Sequence, residues 1–364
     1  MTNKVRVGVI GTSWYADLMH LPVLRDDSRA ECVSICGIDQ ESTDKLAEKY
    51  GISKTYTDYR ELIKNDNLDA VVIATPDFEH HPMTMAALDA GLHVMCEKPL
   101  ASSAELSKEM LNKAKETGLV HMTYFTHRWM PHLQHLQKLI DDGYIGKVYD
   151  AQFHYWQGWH REAKYDWHFD AKLGNGILGD FGSHMINAAL MFVGEVKAVF
   201  GHLTAHVNRP GRDGKPMINA NDSAMLILAF KNGAHASIHV SDVAYIGDRN
   251  QEQKMILHGD KGTIEIDIAY GTPGFEVRGI RDGENEFRKI PTPEHMLKGA
   301  DLDLPFLDQP PKIFKEQHLG LYQFFDAILD GKPVPMDFHE GMKVQEVVDA
   351  AIESNKKGCW VTLE

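Results

Sequence analysis

Short apolar runs alternate with segments of helical spacing through the first 125 residues, and this alternation restricts the fold more than any other feature of the chain. A strand, a helix and a second strand in succession normally form a parallel pair, because the helix carries the chain back across the sheet. The pattern therefore predicts an α/β domain at residues 1–125, with a doubly wound parallel sheet and helices on both faces. The expected strands span residues 5–10, 32–38, 69–74, 92–96 and 119–124, and the expected helices span residues 14–24, 42–50, 58–64, 82–90 and 102–116.

Residues 126–364 have a different pattern, in which short strands dominate. Two expected strands are joined through Asn232-Gly233, which is a strong hairpin signal. We therefore predict a second α/β domain at residues 126–364, built on a mostly antiparallel open sheet, with an irregular loop at 301–311. The expected strands span residues 147–155, 223–230, 235–240, 254–258 and 263–268, and the expected helices span residues 131–142, 315–329 and 339–356.

The composition excludes several classes of partner. The chain has 38 Lys and Arg residues against 52 Asp and Glu residues, a formal charge of −14, whereas a nucleic-acid partner needs a basic surface. No apolar run reaches the length of a membrane span, and the N-terminus lacks the apolar core of a signal peptide. The four cysteines lack zinc-ligand spacing, so we expect no metal site, buried free thiols and a cytoplasmic location.

The tripeptide Glu97-Lys98-Pro99 directly follows the expected strand at 92–96. A residue just past the carboxyl end of a parallel strand lies where open α/β sheets bind ligands. Lysine is chemically versatile there, because partial burial shifts its pKa readily. The alternative is a surface lysine that forms an ion pair with Glu97.

The first strand-to-helix turn reads Gly11-Thr12-Ser13-Trp14-Tyr15-Ala16, where a dinucleotide-binding turn reads G-x-G-x-x-G/A. Gly11 suits the tight turn, and Ala16 still permits close packing of helix on strand. Ser13 replaces the second glycine, and its hydroxyl is a candidate phosphate ligand. The alternative is an ordinary turn without a ligand.

Asp39 follows the second expected strand, at the position of the residue that binds the adenosine ribose in dinucleotide-binding domains. Its carboxylate would accept hydrogen bonds from the 2′-hydroxyl, and residues 37–43 contain no Arg or Lys to bind a 2′-phosphate. The sequence therefore favours NAD as the cofactor and leaves NADP open. The alternative role for Asp39 is to cap the next helix.

A glycine-rich segment leads to Asp180 and His184, which lie four residues apart and share one face if the segment is helical. A carboxylate beside an imidazole raises the pKa of the imidazole and orients it. We interpret the glycines as room for a ligand to approach the backbone; they are Gly174, Gly176, Gly179 and Gly182. The alternative is a helix-capping aspartate followed by a histidine of the core.

Aromatic and hydrogen-bonding side chains are concentrated between residues 155 and 168, a combination that suits the faces and rims of sugar rings. The candidates for contact with a sugar are Trp156, Trp159, His160, Arg161 and Trp167. Arg128 and Arg161 are candidates for binding an anionic group of the substrate, with a surface role as their alternative. An aromatic core or a subunit interface is the alternative for the cluster as a whole.

These segments together resemble the glucose–fructose oxidoreductase and inositol dehydrogenase family, known as Gfo/Idh/MocA. The resemblance depends on the first turn, on Ala74-Thr75-Pro76 with His80, on Glu97-Lys98-Pro99 and on residues 174–184, and it covers nearly the whole chain. Arg128 with Pro131 and the turn at 259–263 also match. The chain departs from the family pattern at Ser13, at Gly37, where many members have an acidic residue, and at Asn187, where aspartate is common.

The resemblance implies a Rossmann domain that binds NAD(P), and a C-terminal domain that binds substrate and forms a homodimer or homotetramer through its sheet. It implies Lys98, Asp180 and His184 as the catalytic residues. The candidate cofactor-binding residues are Gly11, Thr12, Ser13, Trp14, Tyr15, Asp39, Thr75, Pro76, His80, Glu97 and Lys98. The candidate substrate-binding residues are Lys98, Arg128, Trp156, Trp159, His160, Arg161, Trp167, Asp180 and His184.

The expected activity is hydride transfer between the nicotinamide and a secondary alcohol of a sugar, a sugar derivative or an inositol-type polyol. Loss of the hydroxyl proton needs a base, assigned to His184, while Lys98 would stabilise the developing alkoxide, although these two roles can be exchanged. Asp180 would bind a neighbouring hydroxyl or orient the other groups. Two alternatives stay open, a redox-neutral sugar-processing enzyme that uses NAD catalytically and a binding protein without turnover.

Overall fold

The computed structural model describes Lys4–Leu363 and divides this part of the chain into two compact units. The first unit contains the residues up to Thr126 together with Pro310–Lys343. The second contains His127–Gln309 and the described residues from Val344 onward. The division based on sequence puts Pro310–Lys343 with the second domain, whereas in the structure this segment packs with the parallel sheet.

Within the described residues, the first unit contains a sheet of six strands that are all parallel. The order is β3-β2-β1-β4-β5-β6, which confirms the doubly wound α/β fold. The strands are β1 (Val5–Ile10), β2 (Ala30–Cys36), β3 (Lys54–Tyr56), β4 (Ala70–Ile73), β5 (His93–Glu97) and β6 (His121–Tyr124). β3 was not predicted, because a run of three residues is too short to show a pattern.

Five helices of this unit lie between these strands in the chain, and several of them have recognisable capping residues. They are α1 (Leu21–Asp26), α2 (Gln40–Tyr50), α3 (Tyr59–Asn65), α4 (Asp77–Asp89) and α5 (Ala104–Thr117), and a π-helical turn, Ala16–His20, precedes α1. Ser103 caps α5 and Gly118 ends it with a φ of +67°. The predicted start of α4 at residue 82 is wrong, since the helix begins at Asp77 and includes Pro82.

The core of the first unit lies between the sheet and these helices. Ala70–Ile73 is buried at every residue, because a central parallel strand is covered on both faces. The apolar sides of α4 and α5 pack onto it through residues such as Leu88 and Met110. Burial of these apolar side chains positions the carboxyl ends of β1, β4 and β5 at one edge.

In the second unit, the described residues form a nine-stranded sheet with the order β14-β13-β12-β11-β7-β10-β9-β8-β15. Only the β7–β10 pair is parallel, which confirms a mostly antiparallel open sheet. The strands are β7 (Val148–Gln157), β8 (Val196–Thr204), β9 (Ser223–Phe230), β10 (His235–Ser241), β11 (Gln251–Gly259), β12 (Gly262–Ala269), β13 (Glu276–Arg281), β14 (Arg288–Lys289) and β15 (Val361–Thr362).

The remaining helices are α6 (Pro131–Asp141), α7 (Ser183–Phe192), α8 (Pro310–Gln317), α9 (Leu321–Asp330) and α10 (Phe338–Lys357). The prediction of one helix at residues 315–329 is wrong, as is that of a loop continuing to residue 311. The chain forms two helices here and breaks between them at His318 and Gly320, whose φ angles are +56° and +64°. A left-handed residue cannot continue a right-handed helix.

The cysteines are free thiols in the structure, and none forms a disulfide. Cys36 and Cys96 are buried, whereas Cys359 is exposed, so the expectation of burial is wrong for Cys359. Burial raises the pKa of the Cys36 thiol to about 11, which makes it unreactive. Among the described helices, none combines the length and the apolar character that crossing a membrane requires.

Candidate active site

The first strand-to-helix turn has the close backbone contact that a dinucleotide site needs. Gly11 has a φ of +118°, and a Cβ at this position would lie 2.2 Å from the carbonyl oxygen of Ala74. Only glycine fits here. The hydroxyl of Ser13 accepts a hydrogen bond from the backbone N–H of Ala16 at 3.2 Å, so it supports the start of the helical segment. The substitution of Ser13 for glycine is thus accommodated locally.

Aromatic side chains follow directly in this turn. Trp14 is 63% exposed and meets Tyr15 edge to face, with the ring centroids 5.4 Å apart. The hydroxyl of Tyr15 forms a short hydrogen bond with the hydroxyl of Thr126. Thr12 lies beside Gly37, where an added Cβ would come within 2.6 Å of the Thr12 hydroxyl. The side chain of Thr12 therefore occupies the space that a larger residue at position 37 would need, which explains why this chain has glycine there.

Asp39 follows β2 in the chain, as expected, and also caps α2. Its Oδ2 accepts a hydrogen bond from the backbone N–H of Ser42 at 2.8 Å, and this bond lowers the pKa of the exposed carboxyl group. Asp39 therefore has the helix-capping role that was its alternative in the sequence analysis. It is compatible with binding a ribose, because a carboxylate accepts several hydrogen bonds. The glycine turn, Asp39 and the ends of β1 and β4 together fit a dinucleotide.

Glu97 of the Glu97-Lys98-Pro99 tripeptide is bound by a residue that the sequence analysis missed. Its Oε1 lies 2.7 Å from Nε2 of His20, and its Oε2 accepts the backbone N–H of Lys98 at 3.2 Å. His20 is fully buried and packs edge to face on Tyr124, with the ring centroids 4.8 Å apart. This contact connects the helical segment after the first turn to the strand end that positions Lys98, which is half-buried.

His80 forms hydrogen bonds to two backbone segments at the carboxyl edge of the parallel sheet. Its ring is fully buried, with Nδ1 2.8 Å from the carbonyl oxygen of Pro99 and Nε2 2.9 Å from that of Thr75. Burial disfavours the charged ring, but Cys96, Asp77 and the Pro99 carbonyl outweigh this effect and raise the pKa of His80 to about 10. His80 thus links the Thr75-Pro76 turn to the tripeptide instead of facing outward.

His20→Leu should lower the free energy of unfolding by ~1–3 kcal/mol, because it leaves the buried Glu97 carboxyl group without its side-chain partner. The matched control is His81→Leu. His81 contacts Glu109 at a similar 2.8 Å but near the surface, where such a pair contributes about 0–1 kcal/mol. Urea denaturation measures both changes. An equal effect of the two substitutions would contradict a special role for the His20–Glu97 contact.

Asp180 and His184 lie on one continuous helical segment of the second unit. Asp180 is in the π-helical turn Leu178–Gly182, and His184 follows in the first turn of α7. Single π-helical turns of this kind occur often at functional sites. The hydroxyl of Ser183 donates to the carbonyl oxygen of Asp180 at 2.7 Å and stabilises this turn.

The glycines before Asp180 do not leave room for a ligand, because the chain itself occupies that space. A Cβ at Gly176 would lie 2.1 Å from the carbonyl oxygen of Asn221, and one at Gly174 would lie 2.8 Å from that of His168. A Cβ at Gly179 or Gly182 would likewise lie 2.8 Å from a neighbouring side chain. Asn221 also accepts the backbone N–H of Leu178 at 3.0 Å. The glycines therefore permit close packing that holds the π-helical turn.

His184 lies in an aromatic cluster that the sequence analysis did not identify. It is 8% exposed and stacks on His127, with the ring centroids 3.9 Å apart. Tyr155 lies 6.4 Å from His184 and stacks on Phe181 at 3.8 Å, while Gln253 contacts Nδ1 of His127 at 2.9 Å. The alternation of side chains along β7 was the signal for Tyr155, because it puts Tyr155 and Trp156 on opposite faces.

Trp156 is accordingly separated from His184. It lies on the other face of the sheet, near His154 and His239, with ring centroids 4.9 and 5.6 Å away. Its placement does not support the prediction that it binds substrate together with His184. Arg128 lies in the short helical turn Thr126–Trp129 before α6.

Trp159 and Arg161 border a surface cavity of about 360 Å³, together with Tyr245 and Asn250. The indole N–H of Trp159 donates to Oδ1 of Asn250 at 2.5 Å, and the guanidinium of Arg161 lies 4.5 Å from the ring centre of Tyr245. A cavity of this size is at the small end of the range for ligand pockets.

His160 and Trp167 belong to a separate polar cluster. Nδ1 of His160 lies 2.6 Å from Oδ2 of Asp242, and Nε2 lies 3.3 Å from Oδ2 of Asp166. These carboxylates raise the pKa of His160 to about 10. Trp167 stacks on His168, with ring centroids 3.7 Å apart. The described residues contain no group of three or more His, Cys, Asp or Glu side chains arranged to hold a metal ion.

Two family models match the chain. Residues 5–125 match the oxidoreductase family with an NAD-binding Rossmann fold, and residues 133–265 match the GFO/IDH/MocA C-terminal domain. The first match confirms NAD as the cofactor class of the first unit. The second covers β7 and the helical segment with Asp180 and His184.

Known proteins resemble the chain over almost its whole length. Levoglucosan dehydrogenase of Pseudarthrobacter phenanthrenivorans is 30% identical, over 90% of this chain and 88% of the relative. D-glucoside 3-dehydrogenase of Escherichia coli is 26% identical, over 100% of this chain and 98% of the relative. A structure of levoglucosan dehydrogenase in complex with NADH and levoglucosan is 28% identical and superimposes with a TM-score of 0.86, covering 99% of both chains. The parallel sheet with its glycine turn, the open C-terminal sheet and these matches show that the chain belongs to the Gfo/Idh/MocA family of NAD-binding oxidoreductases.

Proposed function

We propose that this protein is an NAD-dependent dehydrogenase that oxidises a secondary alcohol of a sugar, a sugar derivative or an inositol-type polyol. The observation that carries the proposal is the pairing of Asp180 and His184 on one helical segment within an aromatic cluster, in a chain whose Lys98 directly follows a strand of an NAD-binding sheet. The names of the dehydrogenase relatives support the substrate class, since each acts on a carbohydrate.

The proposed chemistry assigns a distinct task to each residue. NAD, when bound, supplies the acceptor for the hydride that leaves the carbinol carbon. His184 accepts the hydroxyl proton, and its stacking on His127 fixes the plane of the ring. Lys98 donates a hydrogen bond to the reacting oxygen and stabilises its developing negative charge. Asp180 binds a neighbouring hydroxyl group, and the tasks of Lys98 and His184 are exchangeable.

The first unit would hold the dinucleotide at the turn of Gly11–Ala16, with the pyrophosphate near the helix start. Asp39 would bind the adenosine ribose. Thr75 and Pro76 lie at the adjacent strand end, and His80 and Glu97 keep this edge in shape through the buried contacts described above.

Asp39→Ser should reduce the preference for NAD over NADP by about tenfold, which corresponds to about 1.4 kcal/mol. Serine preserves the helix cap but removes the negative charge that repels a 2′-phosphate. The ratio of kcat/KM for the two cofactors measures the change. Asp58→Ser is the matched control, since Asp58 caps α3 in the same way through the N–H of Arg60. An unchanged cofactor ratio in Asp39→Ser would contradict the ribose assignment.

The protein would act as a homodimer or homotetramer in the cytoplasm. The supporting observation is the face of the second sheet that carries Met225 and Ile227, which are 54% and 48% exposed in the single chain. Apolar side chains repeated along an exposed strand are typical of subunit interfaces. Light scattering on the purified protein tests the oligomeric state.

The test of the proposed function is a substrate screen that follows the absorbance of NADH over a panel of sugars, glycosides and cyclic polyols. One NADH formed for each substrate consumed supports a dehydrogenase. Turnover without net NADH would instead show the redox-neutral enzyme, and tight NAD binding without turnover on any member of the panel would favour the binding protein.

A further inference from the structure

His160 holds a central position in the polar cluster of the second unit, because both of its ring nitrogens face carboxylates. Nδ1 lies 2.6 Å from Asp242 and Nε2 lies 3.3 Å from Asp166. A neutral imidazole has one N–H and one lone pair, and the lone pair would face a carboxylate oxygen. The Nδ1 contact is a hydrogen bond and the Nε2 contact has the distance of an ion pair, and both are favourable only when each nitrogen carries a proton. The geometry therefore implies an imidazolium, whose positive charge both carboxylates stabilise.

The groups around this imidazolium are mostly acidic. Asp166 also contacts Nδ1 of His168 at 2.6 Å, and these two histidines keep the pKa of Asp166 far below its ordinary value despite the opposing effect of burial. The ring of Phe169 packs on His160, with the centroids 5.2 Å apart. Asp242 contacts the opposite ring nitrogen, Nδ1. The His160 charge is thus shared between one half-exposed carboxylate and one buried carboxylate.

A buried ion pair, Arg209 with Asp222, holds the backbone of the residues that form this cluster. The side chain of Arg209 is fully buried, donates to the carbonyl oxygen of His160 at 2.5 Å and pairs with Asp222 at 3.0 Å. The guanidinium of Arg209 also lies 3.9 Å from the ring centre of Phe169. The backbone N–H of Asp242 donates to the carbonyl oxygen of Asp222 at 2.9 Å. The backbones of His160 and Asp242 are therefore both held by the Arg209–Asp222 pair.

Asp242 connects this cluster to the helical segment that contains Asp180. It follows directly after β10, and β10 packs against the π-helical turn Leu178–Gly182. Asp242 is 1% exposed, and its Oδ1 has no hydrogen-bond partner, although Oδ2 is bound by His160. Burial raises the pKa of Asp242, and the nearby Asp180 raises it further, whereas His160 and Gln157 oppose this shift. The packing of β10 against the turn that contains Asp180 thus brings the two carboxylates near enough to affect each other electrostatically.

We propose that His160 and Asp242 are a positioning pair that sets the protonation state of Asp180 without either of them contacting the substrate. The inference rests on the proposed function, because it assumes that the charge of Asp180 matters for turnover. It replaces direct substrate binding as the role of His160, since both ring nitrogens are already engaged. The imidazolium neutralises Asp242, so that Asp180 can stay ionised beside a second carboxylate.

The acidic side of the kcat/KM–pH profile should contain the ionisation of His184 and, at lower pH, that of Asp180, which we call the acidic limb. The proposal predicts that removal of His160 and removal of Asp242 shift this acidic limb in opposite directions. His160→Asn removes the cation and leaves Asp242 uncompensated near Asp180, so the limb should move to higher pH by about one unit. Asp242→Asn removes the neighbouring negative charge, so the limb should move to lower pH by about one unit. The double variant should lie close to the wild type. A packing role alone would lower activity in both single variants without opposite shifts in pH.

His318→Asn serves as a control of the same chemistry. His318 lies in the first unit and contacts Asp326 at 3.0 Å, so this variant also loses a His–Asp pair but should leave the limb in place. Shifts of both test variants in one direction, or no shift in either, would overturn the proposal.

A second measurement does not depend on activity. The ¹⁵N resonances of the His160 ring should report a doubly protonated imidazolium in the wild type at pH 8. In Asp242→Asn the ring should lose a proton at lower pH than in the wild type, because only Asp166 then faces it. A neutral His160 in the wild type at pH 8 would also overturn the proposal. If the substrate screen finds no turnover while the ring is an imidazolium, the proposed function fails and the His160–Asp242 pair is still present.

Discussion

Lys98→Met should lower kcat by about 10³-fold and leave NAD binding nearly unchanged. Lys98 directly follows β5 at the carboxyl edge of the sheet, and methionine preserves the length of the side chain while removing its charge and its hydrogen-bond donors. Loss of a single donor to a developing oxyanion costs about 10²–10³ in kcat, and loss of a proton acceptor costs a similar factor. The measurements are the initial rate of NADH formation and NAD affinity by fluorescence titration.

Lys108→Met is the control, because Lys108 is an exposed lysine on α5 and should tolerate the substitution without loss of rate. Lys98→Arg distinguishes the two possible tasks of Lys98. Arginine still donates hydrogen bonds but does not lose its proton near neutral pH, so partial activity would assign Lys98 to stabilisation of the oxyanion. Wild-type turnover in Lys98→Met would refute the catalytic assignment altogether.

The second large effect is expected for His184→Asn, with a loss of about 10²–10⁴ in kcat. Asparagine lacks a group that accepts a proton near neutral pH, so the ionisation of the imidazole should disappear from the pH–rate profile, while the acidic limb of Asp180 stays. Added imidazole should restore part of the rate, since it supplies the missing base. Rates measured across pH, with and without imidazole, test this expectation.

Because His184 is buried, the fold of the variant needs a separate check by thermal denaturation. His132→Asn is a suitable control, since His132 is also buried in the second unit, where it packs on Tyr270 and Phe275. Burial lowers the pKa of His132 to about 4, so this ring is neutral at the working pH. If both variants lose the same fraction of activity, the loss comes from packing and the assignment of His184 as the base is wrong.

Much of the fold was predictable because its signals are local. The alternation of apolar strands with helical segments predicted the parallel sheet, and Asn232-Gly233 predicted the β9–β10 hairpin. The errors also have local causes. Pro82 suggested the start of a helix that begins at Asp77, and the helical spacing of residues 315–329 hid the break at Gly320, where the backbone is left-handed.

The candidate site was predictable only where one short segment carries the chemistry. Glu97-Lys98-Pro99 and the spacing of Asp180 and His184 are visible in the sequence, and the structure places them at a strand end and on one helical segment. The partners of these residues were not visible, because no local rule relates residues that are distant in the chain. His20 lies 77 residues from Glu97, and Asp242 lies 82 residues from His160.

By itself, the sequence determined the order of strands and helices, the glycine at the first turn, the membership of a family and the identity of the candidate catalytic residues. These features depend on residues that are close in the chain, so periodicity and short motifs in the sequence are enough to predict them. Only the tertiary structure decided what surrounds those residues. It showed that the glycines before Asp180 pack against Asn221 and His168, that Trp156 faces away from His184, and that His160 is bound by two carboxylates. Burial and charge pairing depend on which distant segments the fold brings into contact, and no local pattern in the sequence records these contacts.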